Sequence, residues 1–309
     1  IPVITTMMGI SVFPDDDQLF CGMIGTHGVK MANAAVNECD VLFLVGARVG
    51  DRAVKTPLAL EKTTKIIHID IDPAEIGKNI GADLPLVGDA KLVLQQMTEL
   101  AKPMKHDEWI AHIKTLGGER KYVEPAKGTV NPRVFIDRLA KKMPANVTVV
   151  ADVGQNQIWT CTEYKFRKEG RLLTSGGMGT MGYSVPAAIG AKMADNSRAT
   201  VAICGDGAFQ MSFMELATAV QFGVDIKVVV MTNNRLGMVR ELQTNGYHDR
   251  QTAVFLDGSP DFIKLAEAYG IPAMRVYDDD TMEKGVEMLA EHKGICLVEV
   301  VVDKDMPTL

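Results

Sequence analysis

Short apolar, β-branched runs alternate along the chain with stretches whose apolar positions recur every three or four residues, the signature of buried strands interleaved with amphipathic helices. In the amino-terminal third, Asp40–Val45 and Lys65–Asp70 read as strands, and His27–Asn37 and Lys91–Leu100 as helices. Further along, strands are expected at Val147–Ala151, Thr200–Cys204, Ile226–Met231, Ala273–Tyr277 and Cys296–Val302, each separated from the next by a helical pattern. Asn131-Pro132 opens this second series as a helix cap followed by proline at the first helical position, with Val134, Phe135 and Leu139 marking the inward face. Between the two series, Lys102–Gly128 turns polar and is punctuated by Pro103, Gly117-Gly118 and Pro125 around a short amphipathic stretch at Trp109 and Ile113. The pattern predicts an α/β protein of two doubly wound, mainly parallel-sheet domains, residues 1–101 and 131–309, joined by a linker over 102–130. The second sheet should hold roughly five or six strands, with helices on both faces.

Chemistry enters where the strand Ala199–Cys204 runs into Gly205-Asp206-Gly207 and a helical pattern follows from Phe209 to Phe222. Asp206 thus stands where a parallel strand ends and a helix begins, the edge at which such sheets bind ligands. Helix-start amides there can receive phosphate oxygens, and the flanking glycines let backbone approach without a clashing Cβ. The next strand, Ile226–Met231, leaves the sheet at the same edge through Thr232-Asn233-Asn234. A carboxylate and an amide oxygen on neighbouring strands are hard donors of the kind that suits Mg2+, whose other positions go to water and phosphates. Gly-Asp-Gly alone is common in turns, and an Asn-Asn pair often just ends a strand. The spacing on consecutive strands is what separates this pair from that reading.

Gly205-Asp206-Gly207 with Asn233 resembles the cofactor signature of the thiamine diphosphate enzymes, and longer stretches resemble the acetolactate synthase (acetohydroxyacid synthase) large-subunit family. These include Thr5-Thr6-Met7-Met8-Gly9, Gly25-Thr26-His27-Gly28, Val45 to Arg48 with Asp51-Arg52, and His68 to Asp72 with Glu75 to Asn79. They continue through Asp152-Val153-Gly154-Gln155, Gly176 to Tyr183 and Gly237-Met238-Val239, so the resemblance covers nearly the whole chain. It implies a central flavin-type domain followed by a thiamine diphosphate-binding domain. The activity it implies is decarboxylation of pyruvate and carboligation to a second 2-keto acid, pyruvate or 2-ketobutyrate, in branched-chain amino-acid synthesis.

The same resemblance assigns thiamine diphosphate contacts to Gly154, Gln155, Asn156, Gly179, Met181, Gly205, Asp206, Gly207, Ala208, Asn233 and Met238. Asp206, Asn233 and the peptide oxygen of Arg235 would hold Mg2+, and Met181 would keep the cofactor bent; the alternative for a methionine in a chain with 18 of them is core packing. Flavin adenine dinucleotide would lie against His27, Arg48, Asp70, Ile71 and Asp89. Three departures stand out: Asn156 where the family has histidine, Gly50 for an aspartate, and Leu242 for a tryptophan at the substrate entrance. Leu242 is therefore expected to widen the entrance. The family's active sites form between subunits, so a homodimer or tetramer and a small regulatory subunit are implied. The chain opens on Ile1-Pro2-Val3 without an initiator methionine, and the glutamate that activates the cofactor's pyrimidine ring is expected on a domain upstream.

Composition narrows the alternatives. A chain of 309 residues, 47% hydrophobic, with net charge −6 and no long charged run gives no reason to expect nucleic acid as a partner. No apolar run reaches the ~18 residues of a membrane span, so a cytoplasmic protein is expected. Five scattered cysteines without a Cys-x-x-Cys pair argue against a disulfide framework and a zinc site. A nucleotide-dependent dehydrogenase would want a Gly-x-Gly-x-x-Gly fingerprint, which is absent. Two readings stay open beside carboligation: another decarboxylating thiamine diphosphate enzyme, of pyruvate oxidase or glyoxylate carboligase type, and a non-catalytic binding or assembly module.

Overall fold

The computed structural model describes residues 1–118 and 122–309, which form two compact units. The first comprises Ile1–Met7 and Gln18–Arg120, the second Met8–Asp17 and Lys121–Leu309. In the first unit the elements are β1 (Val3–Thr5), β2 (Phe20–Met23), α1 (Lys30–Glu38), β3 (Val41–Val45), α2 (Pro57–Leu60), β4 (Lys65–Asp70), β5 (Leu84–Val87), α3 (Ala90–Leu100) and α4 (Asp107–Thr115). Strands β3, β4 and β5 pair in parallel in that order, and β1 pairs with β2. Ile66, Leu44, Val36 and Ile80 close the core on one side of the three-stranded sheet.

The second unit carries α5 (Pro132–Lys142), β6 (Thr148–Ala151), α6 (Gln155–Glu163), β7 (Arg171–Thr174), α7 (Ser184–Ala194), β8 (Thr200–Gly205), α8 (Asp206–Phe209), α9 (Leu216–Gln221), β9 (Lys227–Thr232), α10 (Gly237–Gly246), α11 (Phe262–Ala268), β10 (Ala273–Val276), α12 (Asp279–Glu291) and β11 (Cys296–Val301). Its sheet has six strands, all parallel, in the order β10-β11-β9-β8-β6-β7. Strands β8, β9 and β11 are almost wholly buried, as expected of apolar runs covered on both faces. The chain moves outward from β6 to β7 and then returns to the other side of β6 with β8. That reversal leaves a crevice at the carboxyl ends of β6 and β8, the place where such sheets take ligands.

The Asn131 cap falls where the sequence puts it, and the structure adds a second at Asp278. Asn131 Oδ1 accepts from the N–H groups of Arg133 and Val134, and Asp278 forms a capping box with Thr281 at the start of α12. Under the sheet, Phe209 is fully buried and meets Phe262 edge-on at 5.3 Å. Phe209→Ala should therefore cost about 3–5 kcal/mol, the usual range for an aromatic removed from a close-packed core. A urea unfolding midpoint equal to the parent's would contradict the packing described here.

Several elements differ from the sequence pattern. The helix expected over Phe209–Phe222 is broken into α8, a tight turn at Phe213–Glu215, and α9. Met211 and Ser212 donate to Ala208 and Phe209, three residues back, and Ser212 turns to φ −144°, which ends the α-helical ladder. Strands β5 and β7 are absent from the sequence pattern: β5 carries Pro85 at its second position and β7 opens on Arg171, so neither reads as a β-branched apolar run. Within the stretch read as a linker, α4 packs on the first unit through Ile113 and Trp109 against Cys21 and Ala35, and His112 Nε2 lies 2.6 Å from Glu38 Oε2. Residues 119–121 of that stretch lie outside the described residues. Residues 8–17 belong to the second unit: Asp15 exchanges backbone and side-chain hydrogen bonds with Phe166, and Ser11 Oγ accepts from the Leu172 N–H.

Candidate active site

Each strand that reaches the crevice delivers a different kind of group. From β6 the chain passes through Asp152 and Gly154 into α6. Gly154 adopts φ +140°, ψ −170°, a region closed to other residues, and a Cβ there would fall 2.7 Å from Asn156 Oδ1. The turn so made starts α6 at residues that line the crevice, and the first peptide N–H groups of a helix have no helical partners. Asn156 spends its amide differently: Nδ2 donates to the carbonyls of Asp152 and Ile203, tying the ends of β6 and β8 together.

From β8 comes Asp206, 1% exposed. Its Oδ1 accepts from the Gly207 N–H at 2.8 Å, and Oδ2 accepts from Asn233 at 3.2 Å and Asn234 at 2.6 Å. Despite these donors, burial pushes the carboxyl up to about 6. Such a group favours a bound cation, because a positive charge would offset the desolvation of its ionised form. From β9 comes Asn233, whose Nδ2 donates to Gln155 Oε1 while its Oδ1 accepts from the Arg235 N–H. Asn234 is held at φ +54°, a strained setting for a non-glycine residue at the site's edge.

One pocket joins these ends. Its lining includes the predicted residues Gly154, Gln155, Asn156 and Met181, the whole of Gly205-Asp206-Gly207-Ala208, and Asn233, Arg235 and Met238. Gly179 and Leu242 lie outside the lining: Gly179 sits in the exposed turn before Met181, and Leu242 is 61% exposed on α10. Met181 both lines the pocket and packs on the core. Two glycines keep the cradle open. A Cβ on Gly207 would lie 2.9 Å from Leu236 and 3.3 Å from Met181 Cε, and one on Gly237 would fall 1.8 Å from Gln155 Oε1.

Groups to which the motif reading gave no role also take part. Trp159 lines the pocket one helical turn after Gln155 on α6, a position its i, i+4 spacing could have revealed. Asp152, fully buried, accepts from the N–H groups of Val153, Gly182 and Ser184 and so fixes the loop that carries Met181. The described residues contain no group of three or more His, Cys, Asp or Glu able to hold a metal. A cation here would instead draw on one carboxylate with amide and peptide oxygens, a set that suits Mg2+ completed by phosphate oxygens.

In the first unit, Arg48 follows β3, Asp70 and Ile71 end β4, and Asp89 follows β5, so four of the predicted flavin residues gather at one carboxyl edge. Asp70 Oδ1 accepts from the Asp72 N–H, and Asp89 Oδ1 caps α3 through Leu92. His27 belongs to the turn after β2, which reaches the loop following β3 through Thr26 N–H to Arg52 O at 2.8 Å. No helix among the described residues is long and apolar enough to cross a membrane.

Two family models match the chain: the thiamine pyrophosphate enzyme central domain over residues 1–97, and the thiamine pyrophosphate enzyme C-terminal TPP binding domain over residues 152–300. The chain is 40% identical to the probable acetolactate synthase large subunit of Methanocaldococcus jannaschii, an alignment that covers 98% of this chain and 53% of that protein. It is 36% identical to the acetolactate synthase large subunit of Lactococcus lactis, again over 98% of this chain and 53% of the relative. With the acetolactate synthase isozyme 3 large subunit of Escherichia coli the identity is 35%, over 98% and 55%. The chain thus spans about half the length of these relatives. The pocket falls between the ends of β6, β8 and β9, inside the matched cofactor-binding domain, and the chain belongs to the thiamine pyrophosphate enzyme family.

Proposed function

We propose that the second unit binds Mg2+ and thiamine diphosphate at the β6–β8–β9 edge, and that the complete protein is an acetolactate synthase that joins pyruvate to a second 2-keto acid. The observation that carries this is the buried Asp206 carboxylate beside Asn233, at a topological switch point with glycines on either side. The names of the relatives supply the reaction class.

In this reading Asp206, Asn233 and the Arg235 carbonyl hold the cation. The N–H groups at the start of α6 and around Gly207-Ala208 take the diphosphate, with the α6 N-terminus adding its favourable dipole. Gln155 contributes through its peptide N–H, because its side-chain Nε2 already donates to Met306 O and Thr308 Oγ. When bound, thiamine diphosphate supplies the electron sink that lets a 2-keto acid lose carbon dioxide. Met181 bears on it from the apolar wall beside Gly207, and Gly205, Asn156, Gly179 and Met238 complete the cradle and its approach. Leu242, exposed on α10, is on this reading the aliphatic residue that widens the substrate entrance of the complete protein. The first unit takes flavin adenine dinucleotide at the edge formed by Arg48, Asp70, Ile71 and Asp89, with His27 alongside. Pairing with a small subunit is supported by the "large subunit" names of the relatives, and assembly into dimers or tetramers is our reading of a site completed by a second subunit.

The reaction balances as two pyruvate anions and one proton giving 2-acetolactate and carbon dioxide. The complete protein, supplied with pyruvate, Mg2+ and thiamine diphosphate, is expected to release carbon dioxide and acetolactate at a ratio near one to one. Acetate or acetyl phosphate with consumption of oxygen would instead indicate a pyruvate oxidase. Absence of any turnover, with cofactor nonetheless bound, would leave a binding module.

A further inference from the structure

The carboxyl-terminal segment is tied into the cofactor pocket by a chain of hydrogen bonds whose direction is fixed at every link. Thr308 is 2% exposed, and its N–H donates to Glu241 Oε1 at 3.2 Å. Its hydroxyl bonds Glu241 Oε2, and since that oxygen accepts, the hydroxyl proton is committed to α10. A lone pair of the same hydroxyl therefore faces Gln155 Nε2 at 3.2 Å, and Met306 O takes a second bond from that nitrogen at 2.9 Å. With its nitrogen engaged on the tail, Gln155 must present Oε1 to the opposite side, where it accepts from Asn233 Nδ2 at 3.1 Å. Asn233 is left with Oδ1, not its amino group, on the side of Arg235.

An asparagine amide is symmetric in shape but not in charge: one orientation offers a cation an oxygen, the other repels it with two N–H groups. We infer that Glu241, Thr308 and the Met306 carbonyl are positioning groups that set the orientation of the Gln155 amide and, through it, hold the Asn233 oxygen ready for Mg2+. This rests on the proposed cation site at Asp206 and Asn233. Two further observations support it. Gly237 must lack a side chain, because its Cβ would fall on Gln155 Oε1, the middle link. The tail is held at a second point by Trp159 Nε1, which donates to Pro307 O at 3.1 Å beside the pocket.

Trp159 also supplies the readout. In the 309-residue chain carrying Trp109→Phe, Trp159 is the remaining tryptophan, and its fluorescence should report Mg2+ titrated at a fixed concentration of thiamine diphosphate. Thr308→Val keeps the shape and removes the hydroxyl, and should raise the Mg2+ concentration for half-saturation roughly five- to tenfold, the scale of one buried hydrogen bond. Thr308→Ser restores the hydroxyl and should restore the parent value, which a purely packing role for the threonine methyl would not do. Glu241→Gln should shift the half-saturation in the same direction by less, and serves if Thr308→Val fails to fold. Unchanged Mg2+ half-saturation in folded Thr308→Val, with binding still abolished by Asp206→Ala, would overturn the relay and leave the cation site standing. A parent protein whose fluorescence ignores Mg2+ altogether would overturn the cation site, and the relay with it.

Discussion

Asp206→Ala is expected to weaken binding of Mg2+ with thiamine diphosphate by roughly ten- to a hundredfold, because a charged contact in a buried site is worth ~1.5–3 kcal/mol and this one bears on the cation directly. Isothermal calorimetry on the 309-residue chain measures it. The parent site should carry its own pH signature. Burial raises the Asp206 carboxyl from 3.8 to about 6, so in the free protein the folded state keeps a proton that the unfolded chain has already released. A raised carboxyl of this kind contributes stability that is complete below pH 3.8 and is lost as the pH rises through about 6. Its full loss amounts to on the order of 3 kcal/mol. Mg2+ reverses the balance, since it binds the ionised form. Cofactor affinity should therefore fall as the pH drops below about 6, approaching a factor of ~10 per pH unit where a single proton competes with the cation. The rise in melting temperature given by Mg2+ and thiamine diphosphate should in turn be larger at neutral pH than at pH 5. Equal affinity at both would mean that Asp206 is not the group the cation displaces a proton from.

The sequence made Asp206 and Asn233 conspicuous because glycines and a carboxylate interrupt otherwise apolar runs, and such interruptions at strand ends are local events that spacing can reveal. Strands β6, β8, β9 and β11 were legible because their apolar, β-branched runs, even the four residues of β6, suit a parallel sheet covered on both faces. What spacing cannot reveal is a bond between distant positions. Thr308 and Gln155 are 153 residues apart, and nothing in either neighbourhood announces the other. The same holds for Ser11 with Leu172, which carries residues 8–17 onto the second unit. Strand β7 and the break between α8 and α9 depend on neighbours that complete their hydrogen bonds, so their four- and six-residue segments look like coil or like one longer helix when read alone. Met181 was ambiguous in sequence between packing and cofactor contact, and the structure shows why: the loop that places it on the core also turns it into the pocket.

That loop supplies the second large effect, expected for Asp152→Ala. Asp152 is fully buried, and its two carboxylate oxygens take three peptide N–H groups: Val153 at 2.9 Å, Gly182 at 3.0 Å and Ser184 at 2.8 Å. Alanine would leave all three donors without an acceptor; an unsatisfied buried donor costs ~1–3 kcal/mol, and the Val153 and Gly182 N–H groups, only partly buried, fall toward the low end of that range. The loss should reach about 3–6 kcal/mol, a large part of the ~5–15 kcal/mol that keeps a domain folded. Ser184 begins α7 and Gly182 directly follows Met181, so the damage should concentrate in the segment leading to the pocket's apolar wall. Asp152→Asn separates the two consequences. It keeps the volume and one acceptor but sets an amino group against an N–H, so it should lose less stability than alanine while still loosening the Met181 loop. Urea unfolding should rank parent, asparagine and alanine in that order, and hydrogen exchange at Gly182 and Ser184 should quicken in both variants ahead of the β8 strand. An alanine variant with the parent's unfolding midpoint would show that water or a rearranged loop satisfies the three N–H groups as well as the carboxylate does, and that Asp152 does not hold Met181 in place.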